Sequence, residues 1–188
     1  MTDHVLGLDL GLAKAGAATL TADGRIQTWL KTTPRLGETA TLDAVADRIG
    51  TMAGWAVDLT TTGTILAVVE GPAHAAQHGQ PHERAAIWWL VVRALLRREI
   101  PVAVLAPTTV KGYIAGKGNA SKDDVRRAVA LAWPGQGLAR VSADEADAVA
   151  MCTAAGDWLG WDGPWLDGRR GVDWLKKAQW PERDEVRA

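Results

Sequence analysis

The sequence predicts an α/β fold, a mixed five-stranded sheet with helices packed on it. Three observations predict it. Strand-like apolar runs alternate with helix-period segments from about residue 38 onward; the first three runs follow one another with no helix between them; and 188 residues with 47% hydrophobic content suffice for one well-buried domain and are short for two. Three consecutive strands followed by strand–helix alternation imply a mixed sheet, because each strand–helix–strand step crosses over right-handedly to a parallel neighbour.

The first strand is expected at about 4–10. Two more, at about 15–21 and 24–31, are joined by Thr21-Ala22-Asp23-Gly24, whose Asp-Gly pair suits a tight hairpin. From about 38 to 59, Leu42, Val45, Ala46, Ile49, Met52 and Ala53 recur at helical spacing, and the short apolar run Thr64 to Glu70 reads as the fourth strand. Pro81 fits the first turn of a helix to about 98 with Ile87, Leu90, Val91, Ala94 and Leu95 on its core face, and Pro101-Val102-Ala103-Val104-Leu105 is the fifth strand. Ser-Lys-Asp-Asp at 121–124 is a carboxylate variant of the capping box and opens a helix that Pro134 stops; Ser142 caps another that runs to about Trp158. The order is thus βββαβαβαα. After Trp158 the composition shifts to Gly, Trp and charge (GWDGPWLDGRRGVDWLKKAQW), which sets residues 159–188 apart as an appendage to a core of residues 1–158.

A single cysteine, Cys152, excludes an intrachain disulfide and a cysteine-ligated zinc, and points to a reducing cytoplasm. There is no basic stretch followed by an apolar core at the N-terminus and no apolar run of the roughly 18 residues a membrane span needs, so the expectation is a soluble protein with no membrane partner. Net charge is only −1, but it is unevenly spread. Between Arg84 and Arg127 nine basic residues face three acids, a net of +6 that leaves −7 for the rest. Such asymmetry is expected of a polyanion-binding face beside a carboxylate cluster, and solvated helix faces give the same count.

The carboxylates carry the chemistry. Asp9 ends an apolar run, and alone it reads as a strand-end acid turning to solvent where Gly11 opens a loop. Glu70 ends the buried-type run Ile65 to Val69 in the same way. If the two strands are parallel neighbours, both acids project into the crevice at their carboxyl ends, where open α/β sheets place ligands. In Ser142-Ala143-Asp144-Glu145-Ala146-Asp147-Ala148, Asp144 and Asp147 are three apart and share a helix face with Ala148 and Met151. That face should pack inward and bring two acids that need a cation; Glu145, on another face, reads as a solvated charge. Four oxygen donors with no Cys and little His suit Mg²⁺ or Mn²⁺ rather than zinc, and two ions would provide the two-metal scheme of phosphodiester hydrolysis.

Over residues 4–156 the chain resembles the RuvC-type Holliday junction resolvases of the ribonuclease H-like fold. VLGLDLGLAKAG is similar to the family's first-strand motif, AVVEGP to its fourth-strand Glu motif and SADEADAVAM to its final-helix motif with two acids three apart. The resemblance implies a bacterial or bacteriophage endonuclease that resolves four-way DNA junctions in the cytoplasm, with Asp9, Glu70, Asp144 and Asp147 as the four metal ligands of two Mg²⁺ or Mn²⁺ ions. It also implies a homodimer, since two symmetric nicks need two sites about a two-fold axis, with the helix at 81–98 and its Trp88 and Trp89 as the interface. Thr109-Val110-Lys111 and Gly116-Lys117-Gly118-Asn119-Ala120-Ser121-Lys122 are similar to the family's basic segment, so Lys111, Lys117 and Lys122 become DNA contacts and Lys122 a transition-state contact as well.

Two departures stand out. Family members often carry an aromatic shortly after the fourth-strand Glu, whereas this chain has Gly71-Pro72-Ala73-His74-Ala75-Ala76, where His74 is either a weak base contact or a plain loop histidine. The tail is the other: Trp161, Trp165, Trp174 and Trp180 with Arg169, Arg170, Lys176 and Lys177 serve either DNA stacking or the covering of an apolar sheet edge. Competing readings are a nuclease for RNA or other branched DNA, a non-catalytic junction-binding protein, and an ATP-binding protein of the actin and sugar-kinase type, for which the chain is too short.

Overall fold

All five expected strands form, and they lie in one mixed sheet ordered β3-β2-β1-β4-β5. The computed structural model describes residues 2–37, 39–71, 80–163 and 171–186. Strands β1 (His4–Asp9), β2 (Lys14–Thr21) and β3 (Ile26–Thr32) are an antiparallel meander, while β4 (Thr64–Glu70) runs parallel to β1 and β5 (Val102–Leu105) parallel to β4. The β2–β3 turn uses its Asp-Gly pair as anticipated. Gly24 takes a left-handed φ of 82°, and Thr21 binds both Asp23 and the Arg25 amide.

Strands β1 and β4 are buried on both faces, which explains why they read as continuous apolar runs rather than alternating ones. Side chains along β4 divide with period two: Leu66 and Val68 join one core, Ala67 and Val69 the other. On one face α1 (Leu42–Asp58) and α2 (Pro81–Arg97) cover Leu6, Leu8, Ala67 and Val69. On the opposite face α3 (Pro107–Ala115), α4 (Lys122–Ala132) and α5 (Ala143–Leu159) cover Val5, Ala18, Leu20, Leu66 and Val68. Among the described residues no helix is long and apolar enough to cross a membrane.

Helix α5 is the central one, and its sequence explains how it comes so near the sheet. Every residue from Ala146 to Gly156 is buried, and most are alanine or another small side chain. Beneath it, a methyl on Gly7 would stand 2.4 Å from the Ala148 carbonyl oxygen, and one on Gly16 would stand 2.2 Å from the Asp144 backbone. Small residues on both partners thus set the helix-to-sheet spacing.

Three details differ from the sequence reading. Helix α3 was not anticipated; its Thr-Thr-Val start and Gly112 give it little intrinsic helix propensity, and packing compensates, because Gly112 lies flat against the Trp174 indole. The core stripe of α2 is Ile87, Val91, Val92 and Leu95, with Leu90 turned to solvent. In α1, Leu42 is 87% exposed at the first turn and the buried positions are Arg48, Met52, Ala53 and Ala56.

The segment after α5 returns to the sheet. The short helix α6 (Val172–Leu175) lays Trp174 on α3, Trp180 stacks on Trp158 with centroids 4.8 Å apart, and Arg183 lies over the Trp158 ring. Gln179 then exchanges two backbone hydrogen bonds with Val104, at 2.8 and 2.9 Å, along the outer edge of β5. Lys177 sits over Trp174 and Lys176 pairs with Asp173. Trp165, Arg169 and Arg170 lie outside the described residues.

Candidate active site

The parallel pairing of β1 with β4 puts two acids at one end of the sheet. Leu8 is in register with Val69, so Asp9 and Glu70 follow side by side, with their carboxyls close enough to interact. On the other flank Asp9 pairs with Gly16, and over Gly16 lies the backbone of Asp144. The first turn of α5 is held there by a capping box: Ser142 accepts from the Glu145 amide and Glu145 accepts from the Ser142 amide. Glu145 also accepts from Thr28 of β3 at 2.9 Å. It is therefore a half-buried structural acid and not the solvated charge its position suggested; burial would raise its pKa, but its bonds to Ser142 and Thr28 bring it below the ordinary value.

Asp9, Glu70, Asp144 and Asp147 all line one cavity of about 340 Å³. Burial is the first cause of the raised pKa of three of them, Glu70, Asp9 and Asp147. It pushes Glu70 up to about 9, with the charges of Asp9 and Asp147 adding to the effect and Lys111 opposing it. Asp9 rises to about 7 through burial and then the charges of Asp147 and Asp144, against Lys122. Asp147 rises to about 6, chiefly by burial, with Lys122 and Lys111 opposing. Acids so crowded and desolvated hold protons that a cation would displace.

The lysine expectations divide. Lys111 and Lys122 line the cavity, and the Lys122 ammonium stands 3.5 Å from Asp144. Lys117 stands apart from the cavity lining and lies 3.3 Å from Asp124, an acid that also closes the capping box of α4 with Ser121. His74 lies outside the described residues.

Three charged or aromatic lining residues were not expected at the site, and one of them, Trp88, was expected at the dimer interface. Lys14, at the start of β2, reaches Asp144 at 3.2 Å, while Arg84 and Trp88 enter from α2. Trp88 donates its indole N–H to the Glu70 carbonyl oxygen at 3.0 Å. The signal for the last two was present as a cation and a ring four apart on one helix.

As the side chains stand, no three His, Cys, Asp or Glu among the described residues converge closely enough to hold a metal ion. The donor set nevertheless fits a hard divalent cation: four carboxylates in one cavity, three of them raised above the ordinary carboxylate range, first by burial and then by one another's charge. Asp144 is meanwhile satisfied by two ammonium groups, so binding an ion would exchange lysine contacts for metal contacts.

Known structures share this architecture. RuvC of Thermus thermophilus superposes with a TM-score of 0.66 at 22% identity, over 85% of this chain and 98% of RuvC. The fold is ribonuclease H-like. The same RuvC in complex with a Holliday junction substrate gives 0.65 at 19% identity over 86% of this chain and 98% of that one, and the yeast mitochondrial Holliday junction resolvase Ydc2 gives 0.54 at 15% over 94% and 81%. No protein-family model and no curated protein sequence matches the chain.

Proposed function

We propose that this protein is a divalent-metal-dependent endonuclease that resolves four-way DNA junctions. The observation that carries the reading is the meeting of Asp9, Glu70, Asp144 and Asp147 in one cavity at the carboxyl ends of β1 and β4, edged by Lys14, Lys111 and Lys122, in a fold shared with a protein solved in complex with a Holliday junction. Asp9, Glu70, Asp144 and Asp147 would hold Mg²⁺ or Mn²⁺, which in a two-ion arrangement supplies an activated water and stabilises the leaving oxygen of a phosphodiester. Lys122 and Lys111 oppose the accumulated negative charge and offer donors to a backbone phosphate. Partial burial of Asp9 and Glu70 strengthens each of these interactions relative to open water.

Two symmetric cuts require two copies, and α2 offers a surface for the second. Trp89 is 64% exposed and Leu96 57%, and seven residues apart they share one face of the helix. A homodimer through this face is part of the proposal, and light scattering of the purified protein tests it.

The deciding experiment is cleavage of a synthetic four-way junction in Mg²⁺ or Mn²⁺, beside linear duplex, a flap and an RNA–DNA hybrid. Paired nicks confined to the junction are the expected result. Preferential cleavage of the hybrid or flap would move the substrate to RNA or other branched DNA, and binding without cleavage in either metal would leave a non-catalytic junction binder.

A further inference from the structure

The cavity has two walls. On one face of the sheet α3 and α4 supply Lys111 and Lys122; on the other, α2 supplies Arg84 and Trp88, for which the hydrolytic scheme has no task. Residues four apart on a helix stand one above the other, so the guanidinium and the indole form a single stripe facing the carboxylates. The indole is held in place. Its N–H is bound to the Glu70 carbonyl, and its ring meets that of Trp89 edge-on, with centroids 4.7 Å apart at 89°. Arg84 is exposed and forms no ion pair among the described residues, whereas Lys14 and Lys122 on the opposite side are both drawn to Asp144.

A fixed aromatic ring beside an exposed guanidinium, in a cleft that receives a phosphodiester, is suited to a nucleotide: the ring to the base, the cation to the phosphate. We propose that Trp88 stacks on the base beside the phosphate to be cut and that Arg84 holds an adjacent phosphate, so that the strand is gripped from both faces of the sheet. The inference rests on the nuclease reading of this cavity and extends it to substrate choice. A base must leave its pair to reach an indole on α2, so this wall favours strands already opened at a branch point over continuous duplex.

The test uses the full-length chain and a four-way junction whose cleavage position has first been mapped with the parent protein. If the parent neither binds nor cuts branched DNA, the nuclease reading fails, and this inference with it. With a working parent, 2-aminopurine beside the mapped position should be quenched on binding. Trp88→Phe should keep the quench, and Trp88→Leu should lose it together with about tenfold in affinity, within the range of one base–aromatic stack. Arg84→Ala should also weaken binding about tenfold and reduce the salt slope by about one. Trp88→Leu with full quench and affinity but depressed kcat would overturn the stacking role and leave Trp88 as a positioning residue for Glu70. An unchanged salt slope in Arg84→Ala would overturn the phosphate role. Photocrosslinking of the parent to 5-iodouracil at the same position is independent of whether the variants fold: a crosslink at Trp88 supports the proposal, and a crosslink elsewhere overturns it.

Discussion

Close approach is used twice in this molecule, to opposite ends. At the active site, Gly7 and Gly16 let α5 descend onto β1 and β2, and what the approach brings together is charge: Asp144 and Asp147 against Asp9 and Glu70. At the tail, Gly112 lets an indole descend onto α3, and what it brings together is apolar surface, Trp174 joining the core cluster that contains Val110 and Tyr113. The same absence of a side chain thus places mutual repulsion in one region and dispersion and burial in the other. Stability and function should therefore respond in opposite senses when each region is altered.

The largest effect is expected from the acids. Asp9→Asn, Glu70→Gln, Asp144→Asn or Asp147→Asn should each lower junction cleavage by about a thousandfold or more, since losing a ligand forfeits several kcal/mol of transition-state stabilisation. Junction affinity should persist, and above about pH 7 Asp9→Asn should melt at a higher temperature than the metal-free parent. A parent-like turnover in any two of the four would break the four-ligand assignment. Ending the chain after Trp158 tests the other region: it strips the covers from α3, Trp158 and β5, and should produce aggregation or a clear drop in melting temperature. Trp174→Ala alone should cost about 2–3 kcal/mol in a denaturant titration, the range for a cavity against packed residues. A soluble truncated chain with the parent's stability would dissolve the contrast between the regions.

A smaller effect sharpens the contrast through pH. Glu70, Asp9 and Asp147 have folded pKa values near 9, 7 and 6, all raised, so their protons bind more tightly in the folded state than in the unfolded one. Their contribution to metal-free stability should be fullest below the ordinary carboxylate range and be lost progressively as pH rises through those values. Urea titrations across pH 4.5 to 9 would show the decline, and Mg²⁺ at pH 8 should recover much of it. The smallest effect belongs to the lysines. Lys111→Ala and Lys122→Ala should each weaken binding severalfold and lower the salt slope by about one, whereas Lys117→Ala, whose ammonium is paired with Asp124, should change binding least.

What could be read from the sequence follows from which structures are local. Asp9 and Glu70 were visible because each ends a run buried on both faces, and Asp144 and Asp147 because a spacing of three on a helix puts them on one face among small residues. The capping boxes at Ser121 and Ser142 are four-residue patterns and both form. By contrast, Lys14 belongs to the site only because Gly16 admits the backbone of a residue far along the chain, and Trp88 only because α2 lies across the end of β4. Helix α3 was hidden for a related reason, since an indole from the tail supplies what its own propensity lacks. Leu42 and Leu90 show the converse: periodicity identified the helices but did not fix which residues at the margins of the stripe turn outward.

The pairing of Gln179 with Val104 has a consequence for encounters with other chains. An outermost strand is ordinarily an open template on which any extended polypeptide can add itself, the step that begins both strand exchange and fibre growth. Here the chain's own tail occupies that template at its middle, with both hydrogen bonds of the bridge made. Growth of the sheet by recruitment is thereby blocked on the β5 side by an intramolecular competitor whose effective concentration no free segment in solution can match.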